Sequence, residues 1–222
     1  MSNERMAIAI DGPAASGKSS TAKAVARELG FHHVDSGSLY RAATTARARA
    51  GGASDTWTEQ SVLDAVKIVS LAPTEHGFTP LLGGEHAEAE MRSEAVTGNV
   101  SLVARMPGVR DWVNSIVRGA GEDYDVVVDG RDIGTVVFPH AGLKVFLVAD
   151  PAERARRRLL ERLNGEPDDA DIADETAKII QRDEADAKQS GRAADAILID
   201  TTRLKQAEQI QRIVELARRA RD

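Results

Sequence analysis

The 222-residue chain contains no cysteine. That absence excludes disulfides, thiolate zinc sites and cysteine nucleophiles together. Aromatic residues make up only 4% of the chain, too few for the stacking platforms that hold single-stranded nucleic acid. The formal net charge is −6, whereas a general binder of nucleic acid or anionic membrane needs a basic excess. A local cationic pocket remains compatible with that balance. No apolar run approaches the ~20 residues needed to span a bilayer. The opening M-S-N-E-R-M has neither the cationic start nor the apolar stretch of a signal peptide. The five histidines (His32, His33, His76, His86 and His140) fall at no metal-ligand spacing. The expectation is a cytoplasmic protein that engages neither nucleic acid nor membrane.

What is present is an ordinary globular composition, 42% hydrophobic and 29% charged, enough for one good-sized core carrying a small insert. Short apolar runs at 6–10, 32–35, 125–129, 144–149 and 196–200 read as buried parallel strands. Helical patterns follow at 18–29, 38–50, 107–119, 151–163, 174–189 and 204–220, the fourth marked by Asp150 as N-cap and Pro151 in the first turn. Alternation of this kind predicts an α/β fold with a five-stranded parallel sheet flanked by helices. In such a sheet the site lies beyond the carboxyl ends of the strands. Four of the five runs end there in a site-like acidic position: Asp11, Asp35, Asp129 and Asp150. Two segments interrupt the pattern. Residues 71–97, with turn glycines at 77, 83 and 84, suggest an inserted hairpin lobe, and the acidic, turn-rich residues 164–174 suggest a lid or a long loop.

The strongest local signal is Gly12-Pro13-Ala14-Ala15-Ser16-Gly17-Lys18-Ser19, followed by Ser20, which satisfies G-x-x-x-x-G-K-[ST] between a strand and a helix. Glycines let the backbone curl so that successive N–H groups face an anion, and the helix N-terminus adds partial positive charge. In this phosphate-binding loop (P-loop) Lys18 reaches the β- and γ-phosphates of a nucleotide, and the Ser19 hydroxyl is placed for Mg²⁺. The loop alone fits a GTPase, an ATP-driven motor or a small-molecule kinase. No guanine-reading N-K-x-D motif occurs, which disfavours the first.

A kinase needs a second anion site facing the loop. Asp35-Ser36-Gly37-Ser38-Leu39-Tyr40-Arg41 opens a helix with serines, free N–H groups and an arginine one turn in, although a plain N-cap with a solvated Arg41 reads equally well. Asp129-Gly130-Arg131-Asp132 packs two acids and an arginine at a strand's carboxyl end, a composition suited to a buried, ligand-touching constellation. Arg154-Ala155-Arg156-Arg157-Arg158 is either a solvated helix face with i,i+4 pairs or a source of lid arginines. Arg182 and Asp186, four apart, read on their own as a surface pair.

Taken in order, I-D-G-P-A-A-S-G-K-S-S, D-S-G-S-L-Y-R-A, V-S-L-V-A-R-M-P-G-V-R, D-G-R-D-I-G-T-V-V-F-P, E-R-A-R-R-R, Q-R-D-E-A-D and A-D-A-I-L-I-D-T-T resemble the bacterial cytidylate kinases, a branch of the nucleoside monophosphate kinases. The resemblance covers nearly the whole chain. It implies transfer of a phosphoryl group from Mg·ATP to CMP or dCMP by a monomer. It further implies a core at 1–60, 101–155 and 174–222, an NMP-binding lobe at 61–100 and a lid at 156–173. By motif position, Ser36, Arg41 and Arg131 hold the acceptor phosphate with Tyr40 beside the nucleotide. Ser101, Arg110 and Asp132 read cytosine, Arg182 and Asp186 lie near the sugar, and Arg157 and Arg158 are lid arginines on ATP. Lys18, Arg131 and Arg157 are then the catalytic cations. Cytosine presents two acceptors and an amine donor, matching two donors and a carboxylate. One departure is Gln189, where the family commonly has a phosphate-binding arginine; Lys188 is expected to substitute. Asp11, Asp35 and Asp129 all stand as candidates for ordering the waters of Mg²⁺.

Overall fold

A computed structural model of the chain describes residues 5–163, 165–187 and 191–221. The elements in chain order are β1 (Ala7–Asp11), α1 (Lys18–Leu29), β2 (His32–Asp35), α2 (Ser36–Arg49), α3 (Glu59–Ala65), β3 (Val69–Thr74), β4 (Gly77–Leu82), β5 (Glu85–His86) and α4 (Glu88–Met91). Then come α5 (Glu94–Val103), α6 (Pro107–Asp123), β6 (Val126–Gly130), β7 (Leu143–Val148), α7 (Pro151–Arg162), α8 (Asp169–Asp186), β8 (Ile197–Asp200) and α9 (Gln206–Arg221). Between β6 and β7 the chain makes one π-helical turn, Ile133–Val137.

The centre of the sheet is the expected set of five parallel strands, in the order β2-β6-β1-β7-β8. Alternation along each strand serves both faces. Ile8 and Ile10 of β1 and Val127 of β6 join a cluster under α1 and α9, with Val25, Ile213 and Ala217. Ala9 of β1 and Val126 and Val128 of β6 face the other way, onto Val113 and Val117 of α6 and Leu39 of α2. Being covered on both sides is why these strands read as unbroken apolar runs rather than alternating ones. Each fully buried Ile, Leu or Val contributes roughly 1.5–3 kcal/mol relative to exposure.

The sheet does not stop at five strands. The inserted segment forms an antiparallel hairpin, β3 with β4, and β4 pairs in parallel with β2 through the single bridge His33–Gly77; β5 pairs with the end of β4. The sheet therefore has eight strands, and the hairpin adds to its edge instead of standing off as a separate layer. Gly77 makes the join possible, because a Cβ there would lie 2.7 Å from the carbonyl oxygen of His33. The border strand β3 carries Pro73.

Several helices differ from the sequence-based list. α8 begins at Asp169, within the segment expected as a lid loop, because Asp168 caps it by accepting from the Asp171 N–H (2.8 Å) and its first turn is acidic. α6 runs four residues beyond 119, through Gly121. There the lack of a side chain leaves room for the Phe138 ring, 2.9 Å from where a Cβ would sit. α3, α4 and α5 have no counterpart in the expected element list; Ser93 caps α5, and Val96, Val100 and Val103 bury one of its faces. No helix among the described residues is long and apolar enough to cross a membrane.

Candidate active site

At the carboxyl end of β1 the chain turns sharply into α1. Gly12 adopts φ +149°, and a Cβ there would lie 2.2 Å from the Leu147 carbonyl oxygen of β7. Ala15 sits at φ +55° and Gly17 at +81°, so the loop is wound from left-handed residues that turn its peptides. Three successive carbonyls are each held by a cation. Arg131 Nη1 donates to Gly12 O (2.9 Å), Lys18 Nζ to Pro13 O (2.6 Å) and Arg154 Nη1 to Ala14 O (2.8 Å). A planar trans peptide points its N–H opposite to its C=O; Pro13 has no N–H and the Ala14 N–H donates to Asp183, so it is the Ala15 N–H that the bond on Ala14 O turns the other way. The buried Ser16 hydroxyl lies 3.4 Å from Lys18 Nζ, and the Ser20 hydroxyl donates to Gly17 O (3.1 Å). Ser19 Oγ donates to Asp129 Oδ2, whose other oxygen lies 2.7 Å from His33 Nε2.

The loop forms one end of a cleft of about 810 Å³ lined, among the described residues, by eight cationic and six acidic side chains, a local basic excess on a chain of net negative charge. Lys18, Arg131 and Arg182 converge here. Burial, then the neighbouring Arg131 guanidinium, pushes the Lys18 ammonium well below the ordinary lysine value. Burial and Arg131 likewise push Arg182 down to about 10. Asp186 is the acid set among them, accepting from Arg131 Nε at 3.2 Å and lying 3.8 Å from Arg182 Nε. Even so, Arg182 Nε is buried with no hydrogen-bond partner among the described residues. Unmatched buried donors of this kind are rare in native interiors and point to a ligand.

The opposite wall comes from β2–α2, α5–α6 and the turn after β6. Ser36 Oγ donates to Asp129 O (2.8 Å), and Gly130 must be glycine because a Cβ would reach within 2.6 Å of that hydroxyl. Arg41 donates to Met91 O (3.2 Å) and to Thr97 Oγ1 (3.0 Å), which ties α2 to the insert. Arg110 Nη2 donates to Asp132 Oδ2, and its Nη1 to Ala104 O (3.2 Å). Burial raises the Asp132 carboxyl while Arg110 pulls it back. Tyr40, pushed up to about 12 by burial, and Ser101 line the same cleft.

The three candidate carboxylates for Mg²⁺ have separate roles. Asp11 accepts from the Ile133 and Gly134 N–H groups, both at 2.8 Å, and holds the turn after β6; burial raises it to about 6. Asp35 caps α2 through the Ser38 N–H (3.1 Å) and is raised to about 6, by burial first and then by Asp129. Only Asp129 of the three bonds Ser19.

Among the arginines of α7, the sequence pointed at 157 and 158 together, and the structure separates them. Arg157 turns to the loop after β8, donating to Glu153, to Thr201 O (2.7 Å) and to Thr202 O, and does not line the cleft. Arg158 and Arg162 do line it, both paired with the buried Glu175 of α8 at 3.2 and 3.6 Å. Residues 154, 158 and 162 are four apart, so they share one helix face, and that spacing was a usable signal for the inward stripe. Lys188 and Gln189 lie outside the described residues.

A parallel α/β sheet with this loop at one end of the cleft and an arginine-rich wall at the other defines a P-loop kinase of a small phosphorylated acceptor. The chain belongs to the cytidylate kinase family, whose model matches residues 8–219. A cytidylate kinase of Geobacillus kaustophilus is 44% identical over 96% of this chain and 96% of its own length. One of Acholeplasma laidlawii is 38% identical with the same coverage, and one of Mycobacterium leprae is 39% identical over 95% of each. A solved shikimate kinase structure from Bacteroides thetaiotaomicron shares the fold at 16% identity, with a TM-score of 0.50 over 95% of this chain and 97% of that one.

Proposed function

We propose that this chain transfers the γ-phosphoryl group of ATP to CMP or dCMP, giving ADP and the nucleoside diphosphate, as a cytoplasmic monomer. One observation carries the reading. Lys18, Arg131 and Arg182, whose Nε has no partner among the described residues, line one cleft between the loop and the Arg110–Asp132 wall. Cations that depress one another across a cleft are relieved when a multiply charged anion enters between them.

The acceptor phosphate is already anionic near neutral pH, so no strong general base is required. The work is positioning and charge neutralisation. The loop N–H groups and Lys18 hold the donor phosphates. Ser36, Arg41 and Arg131 hold the acceptor phosphate in line, while Arg158 and Arg162 of α7 meet the charge that develops on the transferring group. Arg182 and Asp186 sit between the two nucleotides, beside the acceptor sugar. Arg110 and Ser101 donate to the acceptor atoms of cytosine, and Asp132 accepts from its amine. Uracil would set a carbonyl against Asp132 and leave a buried carboxylate unpaired, at a cost of a few kcal/mol.

The donor set suits Mg²⁺ delivered with ATP. Ser19 and Asp129 are hard oxygen donors side by side. No cluster of three or more acidic or histidine side chains that could hold a metal occurs among the described residues. Magnesium characteristically binds through substrate phosphates and one or two protein oxygens. When bound it neutralises the β- and γ-oxygens; Ser19 and Asp129 would hold it. The test is ADP release with CMP, dCMP, UMP, AMP and shikimate in parallel. Fast turnover confined to CMP and dCMP is expected, and equal or faster turnover on another acceptor overturns the reading.

A further inference from the structure

The backbone of Ala14 is bracketed by one ion pair. Its N–H donates to Asp183 Oδ1 (3.2 Å), and its C=O accepts from Arg154 Nη1 (2.8 Å). The same Arg154 nitrogen lies 2.7 Å from Asp183 Oδ2. Arg154 is 4% exposed, and its Nε donates to Ala149 O at the end of β7 (3.1 Å). Neither Arg154 nor Asp183 lines the substrate cleft. We infer that Asp183, acting through Arg154, is a positioning residue for the donor-phosphate loop, and that through it α7 and α8 set the loop's affinity for the donor nucleotide.

The reason lies in the next residue. Ala15 holds a left-handed conformation, φ +55°, which is unfavourable for a residue with a side chain and persists only where its surroundings hold it. The peptide between Ala14 and Ala15 is planar. Fixing the Ala14 oxygen on Arg154 therefore fixes the opposite direction of the Ala15 N–H, the first of the inward-turned donors. A neutral partner could hold the Ala14 N–H alone. A carboxylate is needed to hold both that N–H and the buried guanidinium, which would otherwise be a charge without a counter-ion. Asp183 stands between Arg182 and Asp186, which line the cleft. Neighbouring positions of α8 thus address the two nucleotide sites separately.

The inference rests on reading Gly12–Ser19 as the donor site, so its test separates the two. Binding of a non-hydrolysable ATP analogue and of CMP is measured by calorimetry, each alone, on wild type, Asp183→Ala and Asp183→Asn, beside steady-state kinetics. Asp183→Ala should weaken the analogue and raise the ATP KM by about tenfold, the size expected for one charge-assisted hydrogen bond. CMP affinity should stay within about twofold, because the acceptor wall is untouched. Asp183→Asn, which keeps an acceptor for the Ala14 N–H, should recover part of the loss, and it serves alone if the alanine variant does not fold. Unchanged analogue affinity, or parallel losses for the analogue and CMP that track a lower Tm, would overturn the inference. Failure of wild type to bind the analogue at all would sink the donor-site reading itself, and this inference with it.

Discussion

The two ends of the cleft are built on opposite plans. In the proposed function the donor end is eight consecutive residues whose recognition groups include backbone N–H, set by glycine geometry and by cations on the loop's outer carbonyls. In the same reading the acceptor end is assembled from side chains on separate segments that line the cleft, Ser36 to Arg41, Ser101 to Arg110, Arg131 to Asp132 and Arg182 to Asp186. Backbone groups present charge and shape, which suit a triphosphate common to many reactions. Side chains present a donor and acceptor pattern, which suits telling one base from another. Damage at the donor end should therefore be indifferent to the acceptor offered, and damage at the acceptor end should change which acceptor is chosen.

That contrast can be broken most severely at Lys18. Lys18→Ala is expected to lower kcat by about a thousandfold or more on CMP, dCMP and any slow alternative alike. A loss confined to one acceptor, measured by ADP release, would contradict it. Next in size, Asp132→Ala should cut the preference for CMP over UMP by roughly ten- to hundredfold, seen as a ratio of kcat/KM values; an unchanged ratio would remove Asp132 from base reading. A smaller contrast lies within α7. Arg158→Ala should reduce kcat by about a hundredfold. Arg157→Ala, whose side chain braces the loop after β8, should leave kcat within about fivefold and act mainly on the ATP KM. Equal kcat losses would restore Arg157 to the catalytic group where the sequence had put it.

The smallest effect concerns stability at the junction of the two ends. Asp35 is raised to about 6 by burial and by Asp129, so the folded state holds its proton more tightly than the unfolded chain does. The wild type therefore loses stability as pH rises from about 4 through 6, whereas an uncharged asparagine, still able to cap α2, does not. The Tm of Asp35→Asn should gain on that of wild type across this window by about 5 °C and stay level above it. A difference that does not vary with pH would show that Asp35 is ionised at no cost.

Legibility in the sequence followed the same division. The loop, the five central strands and the cap at Asp150 could be read directly, because contiguous residues and doubly covered strands leave unambiguous patterns. The hairpin's attachment to the sheet could not, since it depends on one glycine meeting one backbone carbonyl far along the chain, Gly77 on His33. α5 was hidden by Thr97, Gly98 and Asn99, poor helix formers in isolation that Ser93 and the buried Val96, Val100 and Val103 carry into a helix. Ser36, Arg41 and Arg131 could be put forward as an anion site from their own stretches, but Ser101 and Arg110 were nameable only through family resemblance, and no spacing rule links residue 36 to residue 182. Which arginine of α7 turns inward was decided by helix phase, and the bracket at Ala14 by tertiary contact alone.

The outer strand of the hairpin has one more consequence. A sheet of eight strands has two borders, and an open border invites another chain to add a strand, the first step toward aggregation. At one border stands β3, where Pro73 has no N–H to offer. At the other stands β8, only four residues long and ending in Asp200. Both are poor templates for strand addition, so the enlarged sheet carries its own defence against polymerising edge to edge.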